Sequence, residues 1–192
     1  MGSGGATGDL FVRMAQGNQA LAPGAWLLRG FARAELPEVV AALLGITEAV
    51  AFRHMTTRGG YRMSVAMTNC GAVGWVTDGT GYRYDPLDPS TGRAWPPMPD
   101  VFRRLAARAA AGCGYSGFEP DACLVNEYAP GSRLSLHRDA DERDFTHPIV
   151  SVSLGLPAVF LLGGFDRGGQ GPTSGRDGGD HGRRAPRCSR AP

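Results

Sequence analysis

Between residues 34 and 50 the sequence AELPEVVAALLGITEAV sets Leu36, Val39, Val40, Leu43 and Leu44 at intervals of three and four, the spacing of one helix face. Pro37 falls in the first turn, where its missing N–H is harmless. The stretch MPDVFRRLAARAAAG (98–112) repeats the logic. Phe102, Leu105, Ala106 and Ala109 form one face, Arg103, Arg104 and Arg108 lie towards the other, and Gly112 can end the helix. Elsewhere the period changes to two. In YRMSVAMT (61–68) Tyr61, Met63, Val65 and Met67 point one way, which is strand geometry. ACLVNEY (122–128), RLSLHRD (133–139), PIVSVSLG (148–155) and AVFLL (158–162) also read as strands, separated by the turn signals APGS and LGLP. Two helices followed by short strands predict an α+β, mainly β chain, with the helices packed on a β-sandwich or jelly roll.

At residue 168 the patterning stops. GGQGPTSGRDGGDHGRRAPRCSRAP contains no Val, Ile, Leu, Met, Phe, Trp or Tyr, so it has too little apolar surface to offset the entropy of ordering it. Residues 168–192 are therefore expected to be a disordered tail. Two explanations stand: a natural flexible tail, or a shifted reading frame in a GC-rich gene, the second favoured. Residues 1–19 read as a flexible leader, leaving 20–167 as one domain.

The chain has 192 residues, 42% of them apolar, and a net charge of +2. That suits one domain with a real core and does not announce a nucleic-acid binder by bulk charge. All 20 basic residues are arginine. No apolar run is long enough to span a bilayer, and MGSGGATGDLFVRM carries no signal-type apolar core. Cys70, Cys113, Cys123 and Cys188 show no close pair and no metal-type spacing. Reduced thiols and a monomeric, cytoplasmic protein are expected.

The candidate chemistry lies in RLSLHRDADERD (133–144). If this is a strand, His137 and Asp139 share a face and aim at one point. An imidazole and a carboxylate are two legs of a facial triad for non-haem Fe(II), which leaves three positions for a two-toothed cosubstrate and dioxygen. An H-x-D alone is common and equally fits an exposed histidine beside a loop acid. Trp75, Tyr82 and Tyr84 in GWVTDGTGYRY lie in a Gly-rich segment outside the obvious strands, where rings can stack on an extruded base or cap the core.

PDACLVNEYAPGSRLSLHRDADERDFTHPIVSVSLGLPAVF, GGYRMSVAMTNCGAVGW and GYRYDPLDPSTGRAWPPMP resemble the bacterial AlkB type of Fe(II)- and 2-oxoglutarate-dependent dioxygenases. The likeness runs from about residue 20 to Arg167 with consistent order and spacing. It implies a double-stranded β-helix (jelly roll) and oxidative demethylation of alkylated bases such as 1-methyladenine and 3-methylcytosine. The substrate would be single- or double-stranded DNA, with RNA as a second one. Fe(II) is the implied metal, 2-oxoglutarate and O2 the cosubstrates, and succinate, CO2 and formaldehyde the products.

By the same resemblance, His137 and Asp139 match iron ligands, and Asn126 and Tyr128 match 2-oxoglutarate contacts with Glu127 between them. Trp75, Tyr82, Arg83, Tyr84, Met67, Ser135, Asp141 and Arg167 match the substrate side. Thr57, Arg58 and Gly59-Gly60-Tyr61 match a segment near the strand backbone. Independently, a methylated base of this kind is a cation, which an indole face and a nearby carboxylate favour. Asp141 and Glu142 supply such carboxylates.

The chain departs from the family pattern at its C-terminal end. The second iron histidine and the arginines that hold 2-oxoglutarate are not recognisable. His181, in GGDHGRR, is the only histidine after His147, and nothing around it suggests a rigid frame. Closing strands are apparently missing, so weak iron binding, little turnover and poor stability are expected. Two other readings are a non-catalytic binder of damaged nucleic acid and a cupin-like metal enzyme acting on a small molecule.

Overall fold

The computed structural model describes residues 17–135, 137, 139, 142, 144–162 and 187–189. Strands β1 (Gly17–Ala22) and β2 (Ala25–Arg29) form an antiparallel hairpin. Helix α1 (Leu36–Ala49) follows, with Pro37 in its first turn. β3 (Ala66–Gly71), β4 (Gly74–Asp78) and β5 (Gly81–Asp85) come next, then helix α2 (Asp100–Gly112). β6 (Ala122–Glu127), β7 (Ile149–Ser151) and β8 (Arg187–Ser189) complete the described elements. They pair as a four-stranded sheet β1-β2-β8-β7 and two antiparallel pairs, β3-β6 and β4-β5.

Both helices form where the sequence predicts, but α1 is rotated from its expected face. Val39 and Ile46 are buried, with Ala42 packed beside them, while Val40 and Leu44 are exposed. The rotation follows from α2, whose Val101 and Leu105 meet Val39. Arg104 pairs with Glu38, and Arg108 with Glu35, across the two helices.

The β3-β6 pair is the frame on which the rest is arranged. Met67 exchanges both backbone hydrogen bonds with Arg53, at 2.8 and 3.0 Å, on the side away from β6. Ala66, Thr68 and Cys70 therefore face β6 with their backbone groups, and Met67 stands opposite Asn126 in a non-hydrogen-bonded pair, where side chains come closest. The two faces have different neighbours. Cys70 and Cys123 meet Ile46, Met98 and Phe102 on the helix side. Met67 lies on the other side with Met55, Val65, Val76 and Trp95, against which Leu124 packs.

Trp95 is the hub of this second cluster. Its indole N–H donates to the Asp85 carbonyl at 2.9 Å, and the Arg53 guanidinium lies 5.4 Å above its ring. A Cβ at Gly74 would come within 2.5 Å of Trp95 Cε2, so only glycine lets β4 pass this close. Arg53 in turn forks onto Asp88 with contacts of 2.6 and 2.7 Å. Burial, the largest single influence, would raise the Asp88 carboxyl, but the hydrogen bonds and charge of Arg53 together with hydrogen bonds from Ser90 and Thr91 hold the group below its ordinary range. The stability this pair contributes is thus present above the ordinary carboxylate range and is lost as pH falls through the lowered value.

Several expectations fail here. The leader is not flexible throughout, because β1 begins at Gly17; residues 1–16 lie outside the described residues. The tail is not wholly without structure, because Arg187–Ser189 pairs with both β2 and β7. Main-chain pairing needs no apolar side chain, which is why a pattern-based reading passes over it. No strand forms among the described residues of 133–139 or at 158–162. Only Ile149–Ser151 of the 148–155 stretch is extended and paired, and the 61–68 stretch joins β3 only from Ala66. Leu156, Val159, Phe160 and Leu161 are exposed. Among the described residues no helix is long and apolar enough to cross a membrane.

Candidate metal and cosubstrate site

Three segments carry the candidate residues. The first is 132–139. Ser132 Oγ donates to the Ser64 carbonyl and Ser64 Oγ donates to the Arg133 carbonyl, both at 2.8 Å. The Arg133 N–H donates back to Ser64 Oγ at 3.2 Å. These bonds tie the approach to His137 to the segment leading into β3.

His137 and Asp139 then meet without a strand to align them. His137 Nε2 lies 3.2 Å from Asp139 Oδ1, and its Nδ1 lies 2.7 Å from the Ser135 carbonyl oxygen. A carbonyl only accepts, so Nδ1 carries the proton and donates. In the neutral ring Nε2 is then a bare lone pair facing a carboxylate oxygen. Two acceptors at that distance need a cation between them or a proton on Nε2. Two donors at right angles on one ion, each about 2.1 Å from it, lie about 3 Å apart. A backbone carbonyl on the second ring nitrogen is also how metal-bound histidines are oriented.

His147 and Asp144 make an instructive contrast. There the ring uses Nδ1 itself on Asp144 Oδ2, at 2.8 Å. Hydrogen bonds from Thr146 and the one with His147 hold the Asp144 carboxyl down, at about 2. That pair is satisfied without a metal.

The second segment is β6. Asn126 Oδ1 is buried with no hydrogen-bond partner. A buried amide left unmatched costs about 1–3 kcal/mol, and rotation of the amide would offer Nδ2 from the same place to a carboxylate. Tyr128, just beyond the strand, is 52% exposed, and partial desolvation raises its hydroxyl pKa. Glu127, exposed and between them in sequence, alternates to the other side of β6. The donor set fits a small dianion beside a metal. Among the described residues no group of three or more His, Cys, Asp or Glu gathers for a metal; His181 lies outside the described residues.

The third segment is the β4-β5 hairpin. Trp75, Tyr82 and Tyr84 were expected in a loop; they stand on one face of this hairpin, with Trp75 paired to Tyr84. Trp75 and Tyr82 stack with centroids 5.6 Å apart and planes at 25°. Tyr84 OH donates to Glu142 Oε1 at 2.6 Å, which joins the hairpin to the acidic loop after Asp139. Burial, then Glu142 and the charges of Asp139 and Asp121, push the Tyr84 hydroxyl well above its ordinary value. It stays a donor at any physiological pH.

The residue the sequence reading missed is Asn69. It is fully buried, its Nδ2 donates to the Trp75 carbonyl and its Oδ1 accepts from the Trp75 N–H, both at 3.0 Å. It fixes the backbone from which the indole projects. Two signals were available: an Asn at strand spacing between Met67 and Gly71, and the glycine that follows in GAVGW. Asn69→Ala is expected to lower stability by about 1–3 kcal/mol and to disorder the Trp75–Tyr82 stack, read by chemical denaturation and near-UV circular dichroism.

Other sequence assignments fare differently. Arg83 is held within the hairpin by Asp78 at 3.0 Å, Asp85 at 3.2 Å and Thr80 at 2.8 Å. It projects from the face opposite Tyr82 and Tyr84, so it braces the hairpin and does not reach the ring face. Met67 is a core side chain facing Asn126. Ser135 contributes its carbonyl. Thr57–Tyr61 forms a turn through Thr57 N–H to the Tyr61 carbonyl, with Tyr61 79% exposed. Thr77 Oγ1 donates to the Thr56 carbonyl at 3.3 Å, so this turn sits beside the hairpin, and Arg58 is exposed on it. Asp141 and Arg167 lie outside the described residues.

Residues 24–178 match the model of the 2OG-Fe(II) oxygenase superfamily. The chain belongs to that superfamily. Family membership makes it an Fe(II)- and 2-oxoglutarate-dependent dioxygenase. It is 52% identical over 159 residues to the Alpha-ketoglutarate-dependent dioxygenase AlkB of Escherichia coli K12, covering 83% of this chain and 74% of that protein. It is 44% identical over 129 residues to the Alpha-ketoglutarate-dependent dioxygenase AlkB homolog of Caulobacter vibrioides, 67% of this chain and 57% of that one. Among solved structures, OsALKBH1 superposes with a TM-score of 0.66 at 25% identity, covering 91% of this chain and 88% of the other.

Proposed function

We propose that this chain removes methyl groups from alkylated nucleobases in DNA, and in RNA as a second substrate, by direct reversal with release of formaldehyde. The observation that carries the proposal is the His137–Asp139 pair, whose Nε2 and Oδ1 face each other at 3.2 Å while Ser135 holds the proton on Nδ1. In this reading the two side chains hold Fe(II), and Asn126 and Tyr128 orient 2-oxoglutarate beside it. Bound Fe(II) supplies the activation of dioxygen coupled to decarboxylation of 2-oxoglutarate. Asp139 and Glu142 place negative charge where a cationic base such as 1-methyladenine or 3-methylcytosine would sit. The Trp75–Tyr82 stack offers the aromatic face; its rings touch, so a base stacks on the pair from outside or parts it. Exposed Arg58 and Tyr61 on the neighbouring turn suit the sugar-phosphate strand.

The same proposal holds that the described strands from Gly17 onward belong to a jelly-roll domain, and that the chain works as a monomer in the cytoplasm. With His181 in its GGDHGRR setting, iron is expected to be held weakly and turnover to be low.

The test is binding and repair of a single-stranded oligonucleotide carrying 3-methylcytosine. Base–aromatic stacking is worth about 1–3 kcal/mol, so Trp75→Ala and Tyr82→Ala should each weaken binding about tenfold or more, measured by fluorescence anisotropy. Mass spectrometry of the oligonucleotide should show Fe(II)-dependent loss of a methyl group. Equal affinity for methylated and unmethylated strands would refute the base assignment. Selective binding with no Fe(II)-dependent methyl loss would make the chain a damage binder.

A further inference from the structure

The sequence places no two cysteines close together, but the fold does. Cys70 and Cys123 are direct cross-strand partners in β3-β6. The backbone groups of Met67 point away from β6, and this alternation makes Cys70–Cys123 a hydrogen-bonded pair. Such pairs have Cα atoms about 5.5 Å apart, inside the about 4.4–6.8 Å range that a disulfide spans. The two side chains leave the sheet on the same face and lie with Ile46, Met98 and Phe102. Cys70 is fully buried and Cys123 partly accessible.

We propose that Cys70 and Cys123 form a site of reversible disulfide modification, a peroxide-sensitive staple on the sheet that also carries the Met67–Asn126 pair. The chemistry needs one two-electron oxidant, a peroxide. Cys123, the more exposed residue of the two, attacks as thiolate on one peroxide oxygen. The O–O bond breaks, Cys123 becomes a sulfenic acid, and the departing hydroxide takes up a proton to leave as water. Cys70 then loses its proton and its sulfur attacks the Cys123 sulfur. The S–S bond forms, the S–O bond breaks, and hydroxide leaves as a second water. Two thiols are oxidised by two electrons, and one peroxide is reduced to two waters.

The surroundings fit these roles. The hydrogen bond to Cys123 and burial both hold the Cys70 thiol protonated, and that same bond lowers the Cys123 thiol. A thiol that donates to its neighbour's sulfur is placed to resolve the sulfenic acid before further oxidation. A hydrogen-bonded strand pair must twist to accept a disulfide, and strained disulfides are the readily reduced ones. The staple is therefore expected to open again under a dithiol.

The inference does not depend on the iron reading. The full chain is treated with hydrogen peroxide, quenched with an alkylating agent and digested for mass spectrometry, with and without dithiothreitol. A Cys70–Cys123 linked peptide should dominate, disappear on reduction, and persist in the Cys113→Ser/Cys188→Ser chain. Sulfinic acid at Cys123 with Cys70 still alkylatable would overturn the proposal. So would crosslinks formed mainly to Cys113 or Cys188.

Discussion

Replacement of His137 or Asp139 by alanine should remove divalent-metal binding at this site, with a loss of affinity of at least about 100-fold. Changing only an outer partner of a metal ligand costs about 10–100-fold, and loss of a ligand itself exceeds that. Each variant should nonetheless fold as the parent does, because both side chains are about half exposed, at 53% and 50%. Isothermal titration with Fe(II) under argon reads the affinity, and circular dichroism confirms the fold. His147→Ala provides the control: its ring is satisfied by Asp144, and its removal should leave the affinity unchanged. Equal losses in all three variants would mean that the metal sits on surface histidines at large.

Trp95→Ala should be the most damaging single change to the fold. The ring is 5% exposed, packs on Met55, Val65, Met67 and Val76, and hydrogen-bonds to the Asp85 carbonyl. Emptying such a site costs about 3–5 kcal/mol, and the Arg53 contact adds about 0.5–1 kcal/mol. The loss would reach the candidate site directly. Trp95 fills the space beneath Gly74 that a Cβ would occupy, one residue before the indole of Trp75. Urea denaturation should therefore show a lower midpoint, and the near-UV signal of the Trp75–Tyr82 stack should weaken before the main transition. A cost under about 1 kcal/mol would show that the hairpin is held by β3 and Asn69 without the ring.

How much of this was legible beforehand varied from element to element. Both helices were, because Pro37 and the spacing of Leu36, Val39 and Leu43 in one, and of Phe102, Leu105 and Ala109 in the other, leave few alternatives. Which face of α1 is buried was not, since the stripe is broad enough for α2 to select Val39 and Ile46 over Val40 and Leu44. β6 was read almost to the residue: 122–128 was expected as a strand, and Ala122–Glu127 forms one. The His137–Asp139 convergence was expected for a reason that does not hold. Strand pleating was to align them, yet no strand forms among the described residues here, and a bond from Nδ1 to a carbonyl two residues back orients the ring. Local polar bonding of this kind leaves no trace in hydrophobic period. Asn69, Glu142 on Tyr84, and the facing of Cys70 with Cys123 are products of register between segments distant in sequence, which periodicity within one segment cannot carry.

The proposed function requires His137, Asp139 and Asn126 to share one cation-and-carboxylate site. It is tested most directly by side-chain NMR of the full chain during titration with Mn(II), whose unpaired electrons broaden nearby signals. The His137 imidazole and the Asn126 side-chain amide should broaden together at the lowest metal concentration, before His147 and His54. Broadening that begins at His147 or His181, with His137 and Asn126 still sharp, would contradict it.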